Sequence, residues 1–184
     1  MRLLPSDPVR RGRVKFAALG LFFAAPFVLA WLAYWLDWAP GAASNYGELI
    51  TPPRPLQAPV LADLRGKWVL VSFDAASCDA YCEKKLYFMR QLRRAQGKDQ
   101  ERVERLWLLT GAGRPRAALL AAIEGTHVAP AAALGAGFPV AGTLTDHVYV
   151  IDPLGNLMMR YPRDPDPSRM LKDLQRLLKV SRIG

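Results

Sequence analysis

The sequence predicts an α/β domain carried behind a single N-terminal transmembrane helix. Three observations predict it. The run from Phe16 to Leu36 is apolar and carries no charge. Beyond it, short β-forming runs alternate with amphipathic helical segments, a pattern that implies a partly parallel sheet. The composition, 51% hydrophobic and 22% charged, is that of a chain that buries a core rather than of a disordered one.

At about 1.5 Å per residue, Phe16–Leu36 extends roughly 30 Å, the thickness of a bilayer core. Trp31, Tyr34, Trp35 and Trp38 gather at its far end, where amphipathic rings favour the membrane–water interface. Arg2, Arg10, Arg11, Arg13 and Lys15 precede it, so residues 1–15 are expected to stay in the cytoplasm and the rest of the chain to be exported. These residues account for much of the net charge of +9, and no nucleic-acid-binding motif accompanies the rest. The alternative, a cleaved signal peptide ending near Gly41-Ala42-Ala43, fits less well because signal-peptide apolar regions run to only about 7–15 residues. Pro40, Pro52, Pro53, Pro55 and Pro59 mark residues 37–59 as a stiff linker, leaving residues 60–184 as the domain.

Within the domain, Trp68 to Phe73 reads as a buried strand and Cys78 to Gln96 as a helix. That helix has Cys82, Leu86, Met89 and Leu92 on one face and is closed by Gly97. Val103 to Thr110 is a second strand, and Pro115 to Glu124 a second helix stopped by Gly125. The Ala-, Gly- and Pro-rich stretch from Thr126 to Thr145 has no clear assignment. His147 to Ile151 and Leu157 to Tyr161 flank Asp152-Pro153-Leu154-Gly155-Asn156 and read as a hairpin. Asp166-Pro167-Ser168 opens a last helix with Met170, Leu171, Leu174, Leu177 and Leu178 as its apolar stripe. The order β-α-β-α-β-β-α is the core of the thioredoxin fold.

The chain has two cysteines, Cys78 and Cys82, spaced C-x3-C at the first strand–helix junction. A helix N-terminus stabilises thiolates, and residues four apart share a helix face. The pair can therefore form a disulfide or clamp a metal. A purely structural bridge gains little from so short a loop. His147 opens the third predicted strand; two thiolates and an imidazole suit copper, and zinc accepts the same set. Asp146 is a candidate to orient the imidazole, or a solvated turn residue. His127 reads as a solvated loop residue. Lys84, Lys85, Arg90, Arg93 and Arg94 form a basic helix face, ordinarily solvated, with an acidic partner or lipid headgroups as weaker readings. Thr110-Gly111-Ala112-Gly113-Arg114 lacks the lysine of a phosphate loop and reads as a turn.

Val69 to Phe73, Cys78-x3-Cys82, Asp146-His147 and Tyr149 to Gly155 together resemble the SCO/SenC family, thioredoxin-like copper proteins of cytochrome c oxidase assembly with one N-terminal anchor. The resemblance spans roughly residues 61–180. Asp79 and Glu83 stand where the family usually has proline, and their charges are expected to raise the thiol pKa. The resemblance implies copper held by Cys78, Cys82 and His147. It also implies delivery of copper to the dinuclear centre of oxidase subunit II, or reduction of that centre's cysteines, in the periplasm beside a bacterial inner membrane. A metallochaperone is thereby favoured over an enzyme. The competing readings are a thiol–disulfide oxidoreductase, in which Cys78 attacks and Cys82 resolves, and a non-catalytic subunit that docks on the oxidase.

Overall fold

A computed structural model describes residues 8–36, 45–134, 138, 143–181 and 183. The N-terminal helix, α1, runs Pro8–Trp35 and contains Pro26. From Val9 to Trp35 it is long and apolar enough to cross a membrane. It starts ahead of Phe16 and takes in the basic residues Arg10 to Lys15, because nothing between Pro8 and Phe16 breaks a helix. Residues 45–184 form a separate compact unit.

This unit holds a six-stranded sheet. The strands are β1 (Glu48–Pro55), β2 (Trp68–Asp74), β3 (Val103–Leu109), β4 (His127–Pro130), β5 (Val148–Ile151) and β6 (Asn156–Arg160), in the order β1-β6-β5-β2-β3-β4. Strands β2, β3 and β4 are parallel. Strand β5 runs antiparallel to both β2 and β6, and β1 antiparallel to β6. Helices α2 (Ala80–Arg94), α3 (Ala117–Ala122) and α4 (Pro167–Val180) complete the domain. The predicted β-α-β-α-β-β-α core is present, with β1 and β4 added to it.

Every residue of β2 is buried, as a continuous apolar run in mid-sheet requires. Its side chains alternate between two cores. Trp68 and Leu70 pack with Leu86, Met89 and Leu92 of α2 and Met170, Leu174 and Leu178 of α4. Val69, Val71 and Phe73 pack on the opposite face with Leu61, Leu64 and Tyr149. The β5–β6 turn forms as its composition predicts: Asp152 Oδ1 accepts from the amides of Leu154 at 2.9 Å and Asn156 at 2.8 Å. Gly155 takes a φ of +86° there, a conformation that costs other residues more.

Two expectations are corrected. The proline-rich segment is not all linker: Glu48–Pro55 is the edge strand β1, paired with β6. Proline lacks an N–H, so a strand holding Pro52, Pro53 and Pro55 is restricted to a sheet edge, and a register shift between Leu49 and Arg54 accommodates them. His127 is not a loop residue: it opens β4, with Nε2 3.7 Å from Glu104 Oε2.

Candidate redox site

Strand β2 ends at Asp74, and the chain turns sharply before α2. The Cys78 amide donates to the Ala75 carbonyl at 3.0 Å. Cys78 itself has a φ of +43°, a left-handed conformation unusual for a non-glycine residue and therefore held by its surroundings. Asp79 follows as the N-cap, its Oδ1 accepting from the Cys82 amide at 2.8 Å. The helix thus begins at Ala80, two residues later than the sequence suggests, with Cys78 ahead of the cap and Cys82 in the first turn. The kink brings the two Cα atoms to 5.2 Å, and the cysteines are joined as a disulfide. Both are buried, Cys78 at 4% exposure and Cys82 at 1%.

The two acidic neighbours are both engaged. Asp79 caps the helix. Glu83 is ion-paired with Arg116, whose Nη2 also lies 3.4 Å from the Cys78 carbonyl oxygen. Arg116 therefore offsets the Glu83 charge and ties the start of α3 to the Cys78 backbone. No sequence signal singled Arg116 out; it is the residue before α3, and only the fold brings it to α2.

A buried polar cluster also ends at this rim of the sheet. Lys85 Nζ lies 2.9 Å from Asp74 Oδ1 and donates to the Thr145 carbonyl. The Ser72 hydroxyl donates to Asp74 Oδ2. Burial pushes the Asp74 carboxyl above its ordinary range, against the opposing pull of Ser72 and Lys85. The Tyr81 hydroxyl donates to the Asp146 carbonyl at 2.9 Å, so α2 holds both residues that precede His147.

His147 does not join the cysteines. Its backbone is extended, so its side chain lies on the face of Tyr149, with ring centroids 6.0 Å apart, and opposite that of Val148. Val148 packs in the core that contains Cys78 and Cys82; Tyr149 packs in the other. His147 Nδ1 is 2.7 Å from the Tyr161 carbonyl oxygen, which can only accept, so Nδ1 carries the proton. The Asp146 carboxylate faces Arg163 at 3.7 Å. Among the described residues no group of three or more His, Cys, Asp or Glu side chains could hold a metal ion. The set Cys78, Cys82 and His147, with Asp146 orienting the imidazole, therefore does not fit a shared copper or zinc ion in this conformation.

The fold and the paired cysteines at the first strand–helix junction define a thioredoxin-like dithiol/disulfide protein. The chain belongs to the family described as transmembrane-like, thioredoxin-like, C-terminal domain, whose model matches residues 68–181. Among solved structures it is similar to apo Sco1 from Thermus thermophilus, at 20% identity over 72% of this chain and 96% of that one, with a TM-score of 0.53. Yeast Sco1 with copper bound is similar at 15% identity over 70% and 92%, TM-score 0.51. A thiol:disulfide interchange protein from Chlorobium tepidum is similar at 16% identity over 68% and 95%, TM-score 0.52. These likenesses place the SCO/SenC resemblance at the level of the fold. No curated protein matches the chain.

Proposed function

We propose that this chain is a membrane-anchored thiol–disulfide exchange protein whose reacting groups are Cys78 and Cys82. The observation that carries the reading is the disulfide between β2 and α2, where Asp79 caps the helix and Arg116 reaches the Cys78 carbonyl. In the reduced form the Cys78 thiolate attacks a partner disulfide, forming a mixed disulfide, and the released partner thiolate takes a proton. The Cys82 thiolate then attacks Cys78 Sγ, closing the Cys78–Cys82 bond and freeing the second partner thiol. The partner gains two electrons and the pair loses two; an extracytoplasmic dithiol reductant reopens the pair. The basic residues at the start of α1 support a cytoplasmic N-terminus and a periplasmic domain at a bacterial inner membrane. The SCO/SenC resemblance supports the cysteines of the oxidase subunit II copper centre as the partner in this exchange.

Copper delivery to that centre is the second reading, supported by the likeness to a copper-bound Sco1. Here the reduced sulfurs would be the soft ligands that Cu(I) takes, without His147.

The test uses the full chain, reduced, in detergent micelles, with a peptide closed by an internal disulfide. The expected result is reduction of the peptide, loss of the reaction in Cys78→Ser, accumulation of the mixed disulfide in Cys82→Ser, and no change in His147→Ala. Retained activity in Cys78→Ser would sink the proposal. A parallel anaerobic Cu(I) titration separates the readings: tight binding by wild type and His147→Ala alike, with no peptide reduction, would favour copper delivery.

A further inference from the structure

Beside the disulfide, α2 and α3 enclose a groove of about 430 Å³ lined by Ala80, Glu83, Lys84, Tyr87, Arg90, Leu119, Ala122 and Ile123. Its floor is apolar where Leu119 and Ile123 lie, and Tyr87, 54% exposed, stands along its wall. At the end next to the cysteines its charges are already matched. Glu83 pairs with Arg116, and Lys84 with Asp164 at 2.8 Å.

The far end is different. Arg90 has no carboxylate within ion-pair distance among the described residues, nor does the exposed Arg94 one turn on. Arg105, on β3, is 3% exposed. Its Nη2 donates to the Glu124 carbonyl at 2.7 Å, next in sequence to the groove residue Ile123. Its Nε and Nη1 have no hydrogen-bond partner among the described residues. Burial first, then the Arg93 guanidinium, makes the Arg105 cation easier to deprotonate than usual; Glu104 opposes this, and Arg90 and Arg94 add to it. Arg90 and Arg94 are thus the cations at this end that no described carboxylate offsets, and a groove focuses such a field.

We propose that the α2–α3 groove docks an acidic segment of the protein whose disulfide Cys78 and Cys82 exchange with, an aromatic or aliphatic side chain of that segment lying against Tyr87 and its Asp or Glu side chains facing Arg90. The proposal rests on the exchange reading. An acidic polypeptide suits the groove better than a lipid headgroup, because Ala80 and Glu83 border the disulfide and the occupant must bring its own cysteine there.

The experiment uses the full chain in micelles and three peptides that share one internal disulfide and differ only in flanking residues: acidic, neutral or basic. At low salt the acidic peptide is expected to be reduced about tenfold faster than the neutral one, with the advantage shrinking at high salt. In Arg90→Glu the preference is expected to reverse toward the basic peptide. Binding of a cysteine-free acidic peptide, followed by fluorescence anisotropy, reports docking without chemistry. Equal rates for the three peptides, or no effect of Arg90→Glu on the preference, would overturn the groove while leaving the exchange reading intact. Binding without reduction would overturn exchange and leave the groove. If Arg90→Glu weakens binding to anionic vesicles but not to the acidic peptide, the face is a lipid surface and the proposal fails.

Discussion

Lys85→Met is expected to destabilise the protein by about 3–5 kcal/mol, because it removes one partner of a buried ion pair and strands the other. Lys85 and Asp74 have side-chain exposures of only 1% and 7%, so water does little to screen or replace the contact. Methionine keeps the apolar length of the side chain, which limits the loss to charge and hydrogen bonding rather than volume. The stranded carboxylate also gives the variant a distinct pH profile. Burial already holds the native Asp74 carboxyl above its ordinary range, and without the Lys85 cation it rises further. A carboxyl whose folded pKa is raised contributes stability that is present below the unfolded value and lost as pH rises through the folded one. The deficit of Lys85→Met is therefore expected to shrink as pH falls from neutral toward that value. Adding Asp74→Asn should recover most of the loss at neutral pH, since the amide needs no counter-ion. Urea unfolding of the four proteins of this cycle in micelles measures it. A loss below about 1 kcal/mol, or no recovery in the double variant, would show that the pair is not what holds this end of the sheet.

What the sequence could and could not disclose follows the same physics. The apolar face of α2 was legible because Cys82, Leu86, Met89 and Leu92 recur at helical spacing, and all four are buried. Lys85 sits among those positions but reads as one of a basic face with Lys84, Arg90, Arg93 and Arg94. Its burial depends on Asp74, which belongs to another element; an acid closing the otherwise uncharged run Trp68–Asp74 was the one available signal. The strand at Glu48–Pro55 was hidden because proline composition reports what a segment cannot donate, not what it pairs with. Its partner, β6, lies about a hundred residues further on. The cysteines were placed correctly at the strand–helix junction, since spacing and local signals suffice for that. The residue type of His147 was legible but its side of the sheet was not: its ring lies against Tyr149, whereas Val148 shares the core with the cysteines, a phase fixed only once the packing of α2 is known.

Asp173→Ala is expected to cost about 2–3 kcal/mol and to loosen the start of the domain selectively. Asp173 lies in α4 at 4% exposure, an unusual place for a carboxylate. Its oxygens accept from the Tyr46 amide, at 3.1 and 2.9 Å, and from the Gly47 amide at 2.8 Å. These bonds fasten the chain immediately ahead of β1, the first strand after the membrane helix, onto the last helix of the fold. Gly47 is drawn in so closely that a Cβ there would lie 2.5 Å from Met159 Sδ, so no larger residue fits the turn without displacing Met159. An edge strand carrying three prolines has few ladder hydrogen bonds of its own, and this clamp substitutes for them. Without it the amides of Tyr46 and Gly47 lose their acceptor, and β1 is held to β6 alone. Hydrogen exchange should therefore accelerate at Tyr46, Gly47 and through β1, while β2 and β3, buried in mid-sheet, keep their protection. Asp173→Asn, which retains one carbonyl acceptor, should fall between wild type and alanine. Uniform acceleration across all strands would instead mean that Asp173 supports the whole core, and unchanged exchange at Tyr46 and Gly47 would remove the clamp from the account of how β1 is held.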